Sequence, residues 1–514
     1  MAKMIAPEAE WPHLVTEVKQ VVPEAFDSAG RVLNLVEGDW GHPGQAKPCI
    51  SPVDSTILGS LPMLDLETGI RAVKFAAAEF PAWSQTDLDQ RRERVTNCLV
   101  ALREHRELLA RLLMWEIGKP YRLAMNDVER CISGVAWYVE AIEPLLAGRT
   151  PIGVVSDIAS WNYPLSVLVH AVLVQALAGN AVIAKTPTDG GLYALTVSLG
   201  LARRCGLPVS LVTGFGSQLG EALVRNPNID CLGFVGGRSA GREVAASLYD
   251  ANKRYMLEME GINTYGIWEF SDWASLASQL KKGFDYGKQR CTAYARYVIQ
   301  RRLFPQFLEM YLGVLKSLRL GNPLLVEQPG DPLPALDFGP LINSRQVDGL
   351  KGLYDEALNG GAISLYEGAF DEALFLPGQD RSAYMAPATL LNVPRGSELY
   401  HKEPFGPVDT VVIVDRVEEL INEMNISNGC LVSAVGCDDP KLARTIADEV
   451  RSFKVGINQM RSRGDNEEVF GGLGQSWKGC FVGGKYLVQA VTQGPPGEPL
   501  YGNFTDYQLL PEER

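Results

Sequence analysis

The chain has 514 residues, 46% hydrophobic and 21% charged, too many for one compact core, so two or three domains are expected. Its formal charge of −13 argues against nucleic acid or an anionic membrane as the main partner. Nine cysteines without a CxxC pair read as reduced thiols, and five histidines that cluster with no cysteine leave no metal site expected.

The amino-terminal MAKMIAPEAEWPHLV lacks the long apolar core of a signal peptide, so the expected location is cytoplasmic. Residues 70–150 read as helical, with apolar residues three and four apart in VTNCLVALREHRELLARLLMWEIG. Residues 151–259 then alternate. Strand-like segments at 152–158, 181–185, 209–214, 230–235 and 255–259 are separated by helical ones at 165–178, 192–204, 217–225 and 239–249. The apolar run 165–178 is too short to span a bilayer, so it reads as a buried helix, with His170 a core histidine bonded to a partner. Such alternation implies a parallel sheet covered on both faces, with ligands at the carboxyl ends of its strands.

Two glycine clusters fall at those ends: GFGSQLG (214–220) and FVGGRSAG (234–241). N–H groups at a helix start attract phosphate, so the clusters point to a nucleotide, with Gly214, Gly236 and Gly237 at the turns. A second apolar half runs from about 260 to 460, punctuated by Pro and Gly at 322–341. KYLVQAVTQ (485–493) reads as a strand, and the proline-rich segment after it as an exposed arm or disordered tail.

The reactive candidate is Cys291 in GKQRCTA (287–293). Arg290 beside it is expected to favour the thiolate, the nucleophilic form. Glu258, ending the strand-like 255–259, supplies a carboxylate base for the water that a covalent mechanism needs.

SWNYP (160–164), GNAVIAKTPT (179–188), FVGGRSAG, LEMEG (257–261), GKQRCTA, KEPFGPV (402–408) and VFGGLGQS (469–476) follow one another in this order. The set resembles the aldehyde dehydrogenase superfamily over roughly residues 45–495. The resemblance implies an α/β fold: two doubly wound parallel-sheet domains, for cofactor and catalysis, plus a small β oligomerisation element. The corresponding bounds are 1–131 with 153–257 for the cofactor domain, 258–460 for the catalytic domain, and 132–152 with 484–514 for the oligomerisation element and arm. A homodimer or homotetramer is expected.

By the same resemblance Cys291 is the nucleophile, Asn162 an oxyanion donor and Glu258 the hydrolytic base. Ser160, Trp161, Lys185, Thr188, Glu403 and Phe405 join the three glycines in holding NADP or NAD. Thr188 stands where many NAD-preferring members carry glutamate, so nothing there repels a 2′-phosphate. Glu260 and Ile262 depart from the family pattern, and Glu260 is a rival base. Arg130, Tyr163, Arg290 and Arg463 further resemble the phosphate-holding set of the non-phosphorylating NADP-dependent glyceraldehyde-3-phosphate dehydrogenases. The alternatives are a carboxylate-bearing semialdehyde or a general aldehyde as substrate, or a non-catalytic scaffold.

Overall fold

The structure, a computed structural model, describes residues 3–4, 7–248, 251, 253–328, 330–427 and 430–504. A parallel core of strands lies in the order Arg254–Glu258, Cys231–Val235, Val154–Ile158, Ala181–Thr186, Val209–Thr213. Antiparallel strands Asn34–Val36 and Asp39–Gly41 extend one edge, and Trp477–Cys480 and Gly502–Asn503 the other, giving nine strands among the described residues. Strand Ala181–Thr186 is buried along its whole length, as a strand covered on both faces must be. Ala181 and Ile183 pack with Ala72, Val73 and Ala76 of helix Leu66–Ser84. Val182 and Ala184 face the opposite core, with Val172 and Leu173 of helix His170–Leu177 and Leu195 of helix Leu192–Arg204.

The second sheet has seven strands, in the order 363–367, 388–391, 408–414, 294–300, 263–267, 432–436, 454–457, parallel except for the first pair. It too is covered on both faces. Tyr297 and Ile299 join Leu276, Leu280 and Tyr311 on one side; Val298 and Val435 join Leu420, Met424 and Ile446 on the other.

Three expectations change. Residues 485–493 are not one strand: Lys485–Ala490 is a helix, and only Thr492–Gln493 is extended, pairing with Thr150–Pro151. The β-branched and aromatic side chains that suggested a strand bury Leu487 and Val488 from a helix that begins directly after Gly483 and Gly484, both at positive φ. The segment beyond 493 is not wholly an arm. Gly502–Asn503 joins the first sheet, where Asn503 Nδ2 donates to the carbonyls of Gly474 (3.1 Å) and Trp477 (2.6 Å); residues 505–514 lie outside the described residues. The apolar run 165–178 starts as a π-helical turn, Pro164–Val169, before continuing as α-helix. Among the described residues, no helix is long and apolar enough to cross a membrane, and no group of three or more His, Cys, Asp or Glu could hold a metal ion.

Candidate active site

Parallel register brings the strand ends together. Glu258 pairs with Val235, Ile158 with Lys185, and Thr186 with Thr213, so the loops after these strands share one rim. That rim opens into a cavity of about 290 Å³. Its lining includes Ser160, Trp161, Asn162, Tyr163, Gly236, Gly237, Glu258, Glu260, Cys291, Glu403 and Phe405. Segments up to 245 residues apart (160 to 405) therefore meet at one place. Lys185, Thr188 and Gly214 sit at neighbouring strand ends rather than in that lining. Gly214 is held small by packing: a Cβ there would come within 2.5 Å of Leu219.

The loop carrying Cys291 has an unusual backbone. Tyr286, Gly287 and Lys288 all take positive φ, at 62°, 60° and 61°. Two of the three are not glycine, so side-chain contacts must hold a conformation costing about 1–2 kcal/mol per residue. Lys288 is buried; its Nζ lies 2.6 Å from both carboxylate oxygens of the buried Asp409 and also donates to Tyr294 O (2.8 Å) and Tyr297 Oη (3.0 Å). Tyr311 Oη donates to the same carboxylate. Gln289 Nε2 donates to Tyr286 O and Pro340 O, and its Oε1 accepts from Ile342 N at 3.0 Å. Beyond the thiol, buried Asn263 donates to Cys291 O (2.7 Å) and Ala293 O (2.8 Å).

Cys291 is half-buried. Burial pushes its thiol well up from the ordinary value, and the Glu258 carboxylate adds to this by its charge and by a side-chain hydrogen bond. The opposing positive charge is that of Arg463. The expectation that Arg290 activates the thiol is corrected: its Nη2 donates to Gly283 O at 2.7 Å, so sequence adjacency does not turn it to the sulfur. Asn162 accepts from Ser160 Oγ (2.5 Å) and gives one amide hydrogen to Gln289 O (2.9 Å), leaving its second for another acceptor.

The two candidate bases are oriented differently. Glu258, 4% exposed, acts by its charge on the thiol, whereas Glu260 Oε1 accepts from the backbone N of Arg238 at 3.2 Å. Glu403 accepts from Gly261 N through Oε2 (3.3 Å), while its buried Oε1 has no partner. Burial, then the charges of Glu260 and Glu258, push the Glu403 carboxyl well up. That orphaned oxygen, the amino end of helix Arg238–Ser247, and the open space that a Cβ on Gly237 would meet fit a dinucleotide.

At the other end of the rim, burial draws the Lys185 ammonium down to about 8, with Lys47 adding to the effect and Asp189 opposing it. Lys47 Nζ donates to Thr188 O at 2.6 Å and lies 3.9 Å from Asp189, which also pairs with Arg345 at 3.5 Å. Lys47 was not among the sequence candidates; 138 residues separate it from Lys185, and no motif surrounds it.

Tyr163 lies under the Lys119 ammonium, 3.8 Å from its ring centroid, and Lys119 is ion-paired with Asp127 at 2.8 Å, both fully buried. Burial pushes the Tyr163 hydroxyl up, against the charges of Arg290 and Arg130. Arg130 is exposed on helix Tyr121–Leu145, and Arg463 is exposed with its guanidinium 4.9 Å from the Phe470 ring centroid. His170 is half-buried and edge-on to Tyr138, ring centroids 5.7 Å apart, and burial drives its imidazole down to about 3.

The aldehyde dehydrogenase family profile matches residues 40–494. The chain is 25% identical to 3,6-anhydro-alpha-L-galactose dehydrogenase of Vibrio sp. (strain EJY3), over 91% of this chain and 98% of that one. It is 26% identical to the NADP-dependent glyceraldehyde-3-phosphate dehydrogenase of Pisum sativum, over 86% and 90%. The crystal structure of the NADP-dependent glyceraldehyde-3-phosphate dehydrogenase from Bacillus halodurans C-125 complexed with NADP superposes with a TM-score of 0.80 at 25% identity, covering 90% of this chain and 98% of that one.

Proposed function

The chain belongs to the aldehyde dehydrogenase family, whose activity is NAD(P)-dependent aldehyde oxidation, and from that premise we propose the residues and substrate class through which it acts. Cys291 is the nucleophile, Glu258 the base and Asn162 the oxyanion donor. The observation that carries this reading is the meeting of Cys291, Glu258, Asn162 and Glu403 in the lining of one cavity, where the Glu258 charge acts on the thiol. Glu258 takes the thiol proton as sulfur attacks the carbonyl carbon, giving a thiohemiacetal. The second amide hydrogen of Asn162 and the Cys291 backbone N–H stabilise the oxygen as it gains charge. NADP or NAD, when bound, supplies the acceptor for the hydride whose loss leaves a thioester on Cys291. Glu258 then takes a proton from water, whose oxygen attacks the thioester, releasing the acid and freeing the sulfur. Glu258 is the base rather than Glu260, because of the two it is the carboxylate whose charge acts on the Cys291 thiol.

Glu403, Gly236, Gly237, Trp161, Ser160 and Phe405 hold the nicotinamide half and the phosphates; Lys185 and Thr188 hold the adenosine ribose. NADP is preferred, because Lys47 donates to the carbonyl of Thr188, the position that lacks a repelling glutamate, and its charge also reaches Lys185.

The substrate is a short anionic aldehyde, glyceraldehyde 3-phosphate being the candidate. Its support is the positive field over the site: the charges of Arg290 and Arg130 act on Tyr163 and that of Arg463 on Cys291, although none of the three lines the cavity. A neutral hydroxyaldehyde is the second reading, favoured by the bond that already occupies Arg290 Nη2. The deciding assay compares glyceraldehyde 3-phosphate, a semialdehyde and an uncharged aldehyde of similar length, each with NADP and NAD, on wild type and Arg463→Ala. A charge-assisted bond contributes about 1.5–3 kcal/mol, so the anionic substrates should lose about tenfold to a hundredfold in kcat/KM and the uncharged one little. Equal losses for all three would make Arg463 structural and leave the neutral substrate.

A further inference from the structure

Glu260 places a carboxylate where the fold offers its best seat for a phosphate. Helix Arg238–Ser247 has Gly237 as N-cap, and no side chain of that residue caps it. First-turn N–H groups lack intrahelical partners and carry partial positive charge, so they require an acceptor. Here a residue of the neighbouring loop provides it: Glu260 Oε1 accepts from Arg238 N at 3.2 Å. Glu260, Gly236 and Gly237 line one cavity. Glu403, 5% exposed, lines it too and has an oxygen without a partner. Space lies in front of the helix, since a Cβ on Gly237 would meet no atom within 4 Å.

The cavity therefore collects three carboxylates, Glu258, Glu260 and Glu403, and Glu260 is bonded to the helix end. A pyrophosphate seated there would meet the Glu260 charge on the same N–H group. Two anions cannot share that donor without repulsion.

We propose that Glu260 is a built-in competitor for the cofactor's pyrophosphate: it occupies the amino end of helix 238–247 when no dinucleotide is bound and must turn away for one to bind. It lowers cofactor affinity and favours release. This inference rests on the reading of the cavity as the NAD(P) site.

Direct binding tests it without turnover. Dissociation constants for NADP, NAD and ADP are measured by calorimetry, with quenching of the cavity-lining Trp161 as a second signal, on wild type, Glu260→Gln and Glu260→Gly. Glutamine keeps the shape and removes the charge; glycine removes both. Each ligand carries a pyrophosphate, so both variants should bind all three roughly tenfold more tightly, equivalent to ~1.4 kcal/mol. Unchanged or weaker binding by both variants overturns the proposal. A gain for NADP and NAD without one for ADP also overturns it, because the effect of Glu260 would then lie at the nicotinamide end. If no form of the protein binds NADP or NAD, the cofactor reading falls, and the role of Glu260 with it.

Discussion

Replacing Lys288 by methionine should loosen the loop that presents the thiol. The substitution keeps the length of the side chain but leaves Asp409 buried beside Tyr311 with no cation. Burial already pushes the Asp409 carboxyl up and the Lys288 ammonium down, each opposed by the other's charge, so the two tolerate burial as a pair. Removing one partner of a buried pair costs about 3–5 kcal/mol. At about 2–4 °C per kcal/mol for a domain of this size, the melting transition should fall by roughly 6–20 °C. Lys288→Gly relieves about 1–2 kcal/mol of strain at a φ of 61° but empties a fully buried site at about 2–5 kcal/mol, so it should be no less damaging than methionine. Lys288→Met/Asp409→Leu should recover most of the stability, short of about 1–3 kcal/mol for hydroxyls left without acceptors. The readouts are thermal melting and the rate of Cys291 alkylation by iodoacetamide, measured well below each transition. Wild-type melting and wild-type alkylation in Lys288→Met would refute the reasoning, since the pair would then hold neither fold nor thiol.

Three other substitutions probe the rest of the site. Cys291→Ala should bind NADP as wild type does and turn over nothing, while Glu258→Gln should slow both the first hydride transfer and the steady state, since that carboxylate takes a proton in each step; if Glu260→Gln shows this behaviour instead, the base is misassigned. Lys47→Ala and Thr188→Glu should each weaken NADP about tenfold or more relative to NAD, by loss of attraction and by added repulsion, and equal effects on both dinucleotides by titration would remove this end of the rim from the 2′-phosphate. Asp157 is buried in the first sheet with Oδ2 unpartnered, and burial lifts its carboxyl from 3.8 to about 7. Its protonated form is the one the fold favours, so its contribution is complete below pH 3.8 and is lost as pH rises through about 7. Asp157→Asn should therefore stabilise at pH 8 by a few kcal/mol (about 1.4 per unit) and hardly at pH 4, and equal melting shifts at both pH values would contradict it.

The alternation between 151 and 259 was readable because its boundaries are local chemistry. Gly190 and Gly191, at φ 79° and 81°, start helix Leu192–Arg204, and Gly206 at 79° follows its end, so the sequence marks both limits. Residues 485–493 carry no such alternation, and buried packing overrode their strand propensity. In the site, the ordered motifs brought Cys291, Glu258, Asn162 and Glu403 to attention as separate segments; the register of the first sheet brings the loops after Ile158 and Val235 beside Glu258, and the cavity lining joins them to Cys291 and Glu403. What the sequence hid are contacts between distant charges. Lys288 finds Asp409 121 residues later, and Lys47 finds Thr188 141 residues later. Asn263, next to the departure at Ile262, reads as any polar residue until its amide is seen to hold the carbonyls of Cys291 and Ala293. Arg290 shows the opposite failure: adjacency suggested an electrostatic role, while the left-handed turn before it sends its guanidinium to Gly283.

The proposed use of one carboxylate for two steps sets an order on proton movement. With the thiol pushed up by burial and by the Glu258 charge, the resting enzyme keeps sulfur protonated and poorly reactive. Attack on an aldehyde moves that proton to Glu258, which cannot then accept another. Hydrolysis of the thioester requires Glu258 as carboxylate, so it must release the first proton before water is activated. Aldehyde, water and oxidised cofactor yield carboxylate, reduced cofactor and two protons: the thiol proton leaves through Glu258, the water proton that Glu258 takes next returns to the freed sulfur, and the second proton released is that of the product acid. Glu258 is 4% exposed, and its way to solvent is the cavity it shares with Glu260 and Glu403. A bulky group placed in that cavity should therefore slow hydrolysis more than thioester formation, because only the later step waits for the proton to leave.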